Sequence, residues 1–153
     1  MVILKRCDSS NEDFLALTLA LDADLTARNG QGQQAYDGYN RIAGLSTVLL
    51  ATVQGRAVGC GCFKAFAPDT AELKRIFVLP HYRGRGIARQ LVRGLEEWAG
   101  EQGFRTVILE TGLLQQEAIR LYESCGYRRC ENYGQYAGMP DSVCFTRALN
   151  GAR

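Results

Sequence analysis

The run "AELKRIFVLPHYRGRGIARQLVRG", residues 71–94, changes its periodicity halfway, and that change decides the fold. Up to Val78 it reads as a strand, and Pro80 ends it. From about Gly84 to Gln102 it reads as a helix, with Ile87, Leu91, Leu95 and Trp98 on one face and Gly103 as the stop. The junction, residues 79–94, holds four arginines, three glycines and no acid. A glycine-rich turn between a strand end and a helix start points several backbone N–H groups at one spot, beside the positive end of the helix dipole. That makes an anion cradle. Six Lys or Arg fall between Lys74 and Gly94 (74, 75, 83, 85, 89, 93) with no Asp or Glu, which suits a multiply charged anion such as a pyrophosphate with a further phosphate. The common nucleotide motifs are absent. No GxxxxGK[ST] occurs, and Arg89 stands where the third glycine of GxGxxG would fall.

The strand itself carries an irregularity. Its apolar residues fall at 73, 76 and 78, so strict alternation slips by one near Lys74 or Arg75, the mark of a β-bulge. A bulge frees backbone groups for another partner.

Outward from this unit the chain alternates elements with no internal repeat and no dividing linker. "VILKRC" reads as a first strand, and the stripe at 14, 17, 21 and 25 as a helix. "NGQGQQAYDGYN" then breaks the pattern and reads as a loop with one helical turn. "STVLLATVQGRAVGCGCFKAF" is a hairpin turning at Gln54-Gly55. "RTVILET" is a short buried strand, "QQEAIRLYESCGY" a helix closed by Gly126, and "DSVCFTRAL" a last strand. Strands dominate early and βαβα alternation comes late. The expected class is α/β (α+β), with a mixed sheet and helices on both faces.

Composition narrows the function. The chain has 153 residues, 46% hydrophobic and 22% charged, which suits one globular domain. A net charge of +2 is too mild for a nucleic-acid binder, so no nucleic-acid partner is expected. No segment approaches a membrane span, and the start "MVILKRCDSS" lacks the order of a signal peptide, so a soluble cytoplasmic protein is expected. The six cysteines (7, 60, 62, 125, 130, 144) lack CxxC spacing, and His81 is the single histidine. Reduced, mostly buried thiols and no metal site are expected.

Arg83-Gly84-Arg85-Gly86-Ile87-Ala88 resembles the R/Q-x-x-G-x-G/A signature of the GNAT family of N-acetyltransferases, in which this turn holds the pyrophosphate of acetyl-CoA. "AELKRIFVLP" resembles the fourth strand of that family, and "EAIRLYESCGY" the later helix ending in Tyr-x-x-x-Gly-aromatic. The resemblance covers residues 1–149 as one domain, with 150–153 as a frayed tail. It implies a mostly antiparallel central sheet of six to seven strands, a splayed fourth and fifth strand pair, and about four helices. It also implies cofactor contacts at Ile76, Phe77 and Val78, where strand backbone would bond the pantetheine arm, and at Arg83, Gly84, Arg85, Gly86, Ile87 and Ala88. Gln115 stands where the family often has Asn, a position facing the pantetheine arm.

By the same resemblance the activity is acetyl transfer to a primary amine in a ternary complex. A lysine-like amine is only about 0.04% neutral at pH 7, a handicap of roughly 4.6 kcal/mol that a base or a desolvated site can reduce. The departing thiolate needs a proton. Tyr122 matches the family's general-acid tyrosine; without the resemblance, Tyr127 and Tyr133 would be equal choices. Glu72 and Glu110 are the candidates for the base, both on otherwise apolar strands, where an unpaired charge is costly. Glu72 is preferred because some family members carry a glutamate on that strand. An exposed strand-end charge paired with Lys74 is the plainer reading of Glu72.

The acceptor site should lie between residues 29–45 and "NYGQYAGMPDS", segments with tyrosines at 36, 39, 133 and 136 and acids at 37 and 141. The acceptor is a small-molecule amine or a peptide or protein amine, and a homodimer is compatible with the family. A non-catalytic acyl-CoA sensor on the same fold remains the alternative, and a phosphate-binding or RNA-binding module the more distant one.

Overall fold

The computed structural model describes residues 1–29 and 44–149. A seven-stranded sheet runs in the order β1-β2-β3-β4-β5-β7-β6, formed by β1 (Val2–Cys7), β2 (Val48–Val53), β3 (Arg56–Ala67), β4 (Thr70–Val78), β5 (Thr106–Gly112), β6 (Arg128–Cys130) and β7 (Ser142–Ala148). All neighbours pair antiparallel except β4 and β5, which are parallel. The described residues hold three α-helices, α1 (Glu12–Asn29), α2 (Ile87–Glu101) and α3 (Gln116–Ser124), rather than about four. The turns at Pro80–Tyr82 and Gly134–Tyr136 are single 3-10 turns, too short to add one. Of the loop expected over residues 29–40, all but Asn29, the last residue of α1, lies outside the described residues.

Local chemistry explains the elements. Asn11 Oδ1 accepts from the Phe14 N–H at 3.0 Å and caps α1, whose first turn holds Glu12 and Asp13 at the positive end of the dipole. The stripe Phe14, Leu17, Leu21 and Leu25 is buried against Val48, Leu50, Cys60, Cys62 and Phe77. On the opposite face, Ile87, Leu91 and Leu95 of α2 and Ile119 and Tyr122 of α3 share a core with Leu49, Val58, Leu73 and Val107. Gln54 and Gly55 both have positive φ, 51° and 81°, as a tight hairpin turn requires. Helix α2 begins at Ile87, not near 84, because Gly84 and Gly86 sit at φ 80° and 79°, outside any right-handed helix.

The bulge falls where the alternation slips. Cys60 faces Phe77 and Cys62 faces Lys74, so Arg75 and Ile76 together oppose Gly61, and Arg75 has φ 62°. Ile76 and Val78 therefore rejoin the α2 and α3 face with Ala71 and Leu73, while Phe77 goes to the α1 face. A second feature follows on the other edge. β4 pairs with β5 only from Thr70↔Thr106 to Leu73↔Leu109, and β5 then follows β7 as far as Gly112↔Ser142. Beyond Leu73 the two parallel strands separate.

No helix of the described residues is long and apolar enough to cross a membrane. The six cysteines are free, and Cys60, Cys62, Cys125 and Cys144 are buried. Burial pushes the Cys62 thiol up to about 12, so it stays protonated.

Candidate active site

The split between β4 and β5 opens into two cavities. The larger, about 780 Å³, is walled by Ile76, Phe77 and Val78 of β4, by Arg83, Gly84, Gly86, Ile87, Ala88 and Arg89 of the glycine turn and α2, and by Gln115 and Tyr122 of α3 and its approach. The smaller, about 90 Å³, is walled by Glu72, Lys74, Arg75 and Ile76, by Glu110 and Thr111 of β5, and by Leu21, Leu25 and Tyr136. Ile76, Gln115, Ala118 and Tyr122 line both. They mark the junction.

The glycine turn has the open, left-handed backbone that an anion cradle would use. The positive φ of Gly84 and Gly86 turns successive N–H groups outward, and a Cβ built at either would meet nothing within 4 Å, so the space above them is open. The first N–H groups of α2 have no partner inside the helix and face the same region. The arginines are less uniform than the charge count implies. Arg83 Nε donates to the Val78 carbonyl at 2.8 Å, Arg85 reaches the His81 carbonyl at 3.2 Å, and Arg89 holds the Ser124 hydroxyl at 2.7 Å. Arg85 is not among the residues lining the groove; its guanidinium lies over the Tyr82 ring.

Three of the six basic residues face elsewhere. Lys74 shares the face of Glu72 and Tyr136, Arg75 turns to α1 through the bulge and pairs with Asp22 at 2.8 Å, and Arg93 pairs with Glu96 at 3.0 Å, beside Arg147 at 2.6 Å. Sequence counting cannot see this, because strand alternation and helix rotation send neighbouring charges to opposite faces.

The Gln115 side-chain oxygen accepts from the Gly112 N–H at 2.7 Å and the Thr111 hydroxyl at 3.0 Å. It thereby fixes the turn from β5 into α3. Tyr122 is 7% exposed at the junction, and burial pushes its phenol well up, so it keeps its proton. Tyr127, the rival by sequence, donates at 2.6 Å to the buried carboxylate of Glu96.

The small cavity concentrates charge. Glu72 is not an exposed strand end: its side chain is 1% exposed, with Oε2 accepting from the Tyr133 hydroxyl at 2.7 Å and lying 3.5 Å from Lys74 Nζ. Lys74 Nζ in turn donates to the Tyr136 hydroxyl at 3.2 Å, and burial lowers its pKa against the opposing pull of Glu72. Burial pushes the Glu110 carboxyl up to about 7, countered in part by the Ser142 hydroxyl at 2.7 Å. Tyr133 and Tyr136 thus belong to this site. Asp141 is exposed, and residues 36, 37 and 39 lie outside the described residues. Sequence reading paired Lys74 with Glu72 but at an exposed strand end; the burial of the pair was missed. Among the described residues no group of three or more His, Cys, Asp or Glu is placed to hold a metal ion.

A mixed sheet split along its one parallel pair, with the split leading to a glycine turn at a helix start, is the architecture of an acyl-CoA-dependent acyltransferase. The Acetyltransferase (GNAT) family matches residues 16–127, and the chain belongs to that family. It is 37% identical over 105 residues to an IAA acetyltransferase of Azospirillum brasilense, covering 66% of this chain and 67% of that one. A Klebsiella pneumoniae protein assigned as an acyl-CoA N-acyltransferase superposes with TM-score 0.80 at 30% identity, over 97% of this chain and 98% of the other. A GNAT acetyltransferase of Elizabethkingia anophelis with acetyl-CoA bound shares the fold at TM-score 0.68 and 16% identity, over 97% and 98% of the two chains. This protein is an acetyl-CoA-dependent acetyltransferase, and the open cradle and unpaired β4 edge fit that co-substrate.

Proposed function

We propose that the protein transfers the acetyl group of acetyl-CoA to a primary amine by direct attack in a ternary complex. The observation carrying this reading is that the groove leading from the cradle and the carboxylate-lined cavity meet at Tyr122. One cavity suits the cofactor arm, the other a cationic amine, and the reacting atoms would lie between them.

Backbone N–H groups of the 83–88 turn hold the pyrophosphate, with Arg83, Arg85 and the start of α2 supplying positive potential. The β4 edge beyond Leu73 supplies groups at Ile76 and Val78 for the pantetheine arm, Phe77 walls the groove, and Gln115 keeps the split open. Glu110 takes the proton the ammonium loses, since a carboxyl near pH 7 is matched to that task. Glu72, the choice by sequence, holds the ammonium instead, because Tyr133 and Lys74 already engage its Oε2. As the C–N bond forms and the C–S bond breaks, Tyr122 gives its proton to the departing sulfur. The amine specificity and a cytoplasmic location belong to this proposal.

The test is kinetic. Tyr122→Phe keeps the ring and removes the hydroxyl, so kcat should fall about ten-fold or more, with acetyl-CoA affinity little changed. In the pH profile of kcat/KM, Glu110→Gln should abolish the rise through pH 7 and Glu72→Gln should retain it. The reverse pattern returns the base role to Glu72. A folded wild-type protein that binds acetyl-CoA but turns over no amine would instead be a sensor.

A further inference from the structure

Glu72 and Arg75 both line the small cavity, and each carries a buried side-chain atom that has no hydrogen-bond partner among the described residues: Glu72 Oε1, an acceptor, and Arg75 Nε, a donor. Orphans of this kind are rare, because each leaves the loss of its hydration unrecovered. Here one of each kind belongs to a residue lining the same cavity.

The surroundings fix what each can take. Glu72 already accepts from Tyr133 and faces Lys74 through its other oxygen, so its free oxygen awaits a donor. Arg75, with a side chain 7% exposed, pairs with Asp22 of α1 at 2.8 Å through Nη2, so its position is fixed and its Nε–H awaits an acceptor. The bulge explains how this residue reaches the site. A left-handed φ of 62° at a non-glycine residue is a costly backbone state, and it turns Arg75 toward α1 rather than into the opposite core.

Size sets the scale of the ligand. A cavity of about 90 Å³ is roomier than a single water requires and suits a small ligand. A plain alkylamine would satisfy the carboxylates and leave the Arg75 Nε–H without an acceptor. A simple anion would do the opposite.

We infer that the acceptor is a small α-amino acid bound as the zwitterion, its ammonium against Glu72 and Glu110 and its carboxylate against Arg75. This rests on the transfer reading above and names its substrate. The ammonium loses one proton to Glu110; the amine then attacks, and the nitrogen keeps the acetyl group and releases a second proton, which replaces the one Tyr122 gives to the sulfur as the C–S bond breaks and the coenzyme leaves as the free thiol.

The experiment compares each small amino acid with the same molecule lacking its carboxylate: glycine, L-alanine, L-serine and L-aspartate against methylamine, ethylamine, ethanolamine and β-alanine. Released thiol gives the rate, and the mass of the acetylated product confirms transfer. At least one amino acid should exceed its decarboxylated partner in kcat/KM by about 100-fold, as expected where a buried donor is left unpaired by the poorer substrate. Arg75→Met should raise the amino-acid KM by about 10-fold or more and leave the KM for the amine unchanged, with Arg75→Lys in between. Equal or better rates for the amines overturn the inference while leaving the transfer reading intact. If no compound is turned over, the transfer reading fails, and calorimetric titration of L-alanine into the coenzyme A complex decides the inference separately. Heat that disappears in Arg75→Met supports it, and no heat in wild type overturns it. Because the substrate comparison uses only the wild-type protein, it stands even if the Arg75 variants do not fold.

Discussion

Tyr133 and Glu72 stand 61 residues apart in the chain, yet the tyrosine hydroxyl donates to Glu72 Oε2 at 2.7 Å. The segment between β6 and β7 thereby closes over the carboxylate on β4. Tyr133→Phe keeps the ring contacts with Phe66 and Tyr136, at 5.1 and 5.5 Å, and removes this bond alone. Stability should fall by about 1–3 kcal/mol in urea unfolding. The acceptor KM should rise several-fold, with acetyl-CoA affinity unchanged; a variant matching wild type in both measurements would show that Glu72 needs no such partner.

Gly86→Glu tests the cradle. The protein leaves room for a side chain there, since a Cβ meets nothing within 4 Å, so the variant should fold, with about 1–2 kcal/mol lost to the left-handed backbone. The carboxylate would occupy the position proposed for a phosphate. Calorimetry should report coenzyme A affinity weakened by about 100-fold or more, whereas unchanged affinity would place the pyrophosphate elsewhere.

Glu110 makes stability depend on pH. Its folded-state value of about 7 exceeds the ordinary 4.5, so the folded protein holds this proton more tightly than the unfolded chain does. Its contribution is therefore greatest below about pH 4.5 and is lost as pH rises to about 7. Glu110→Gln removes the ionised form, and relative to wild type it should gain on the order of 2–3 kcal/mol between pH 5 and pH 8. Urea midpoints at the two pH values measure the difference. An offset that does not change with pH would mean that the carboxyl is solvated.

Gly61 tests the bulge. A Cβ there would lie 2.5 Å from Ile76 Cδ1 and 2.9 Å from Leu95 Cδ1, where β3 faces two residues with one. Gly61→Ala should cost about 1–3 kcal/mol through overpacking. It should also raise the KM for acetyl-CoA, because Ile76 is a wall of the groove. Loss of stability with an unchanged KM would separate the bulge from cofactor binding.

The sequence by itself determined most of the elements and the glycine turn at the start of α2, though not the short strand β6. Period-two and period-3.6 patterns, the Gln54-Gly55 turn and the glycines at 84 and 86 are local signals, because each reports a backbone preference felt within a few residues. The slipped alternation at 73, 76 and 78 even located the bulge. What required the tertiary structure was the direction of each charge. Lys74 and Arg75 read as part of a basic anion site, and Glu72 as the preferred base or, more plainly, an exposed strand end paired with Lys74. Folding instead buries all three under α1 and the segment carrying Tyr133 and Tyr136. The acceptor cavity has this origin: partners from β4, β5, α1 and the approach to β7 meet only once the sheet is built, and burial then makes their pairing, or its absence, energetically decisive.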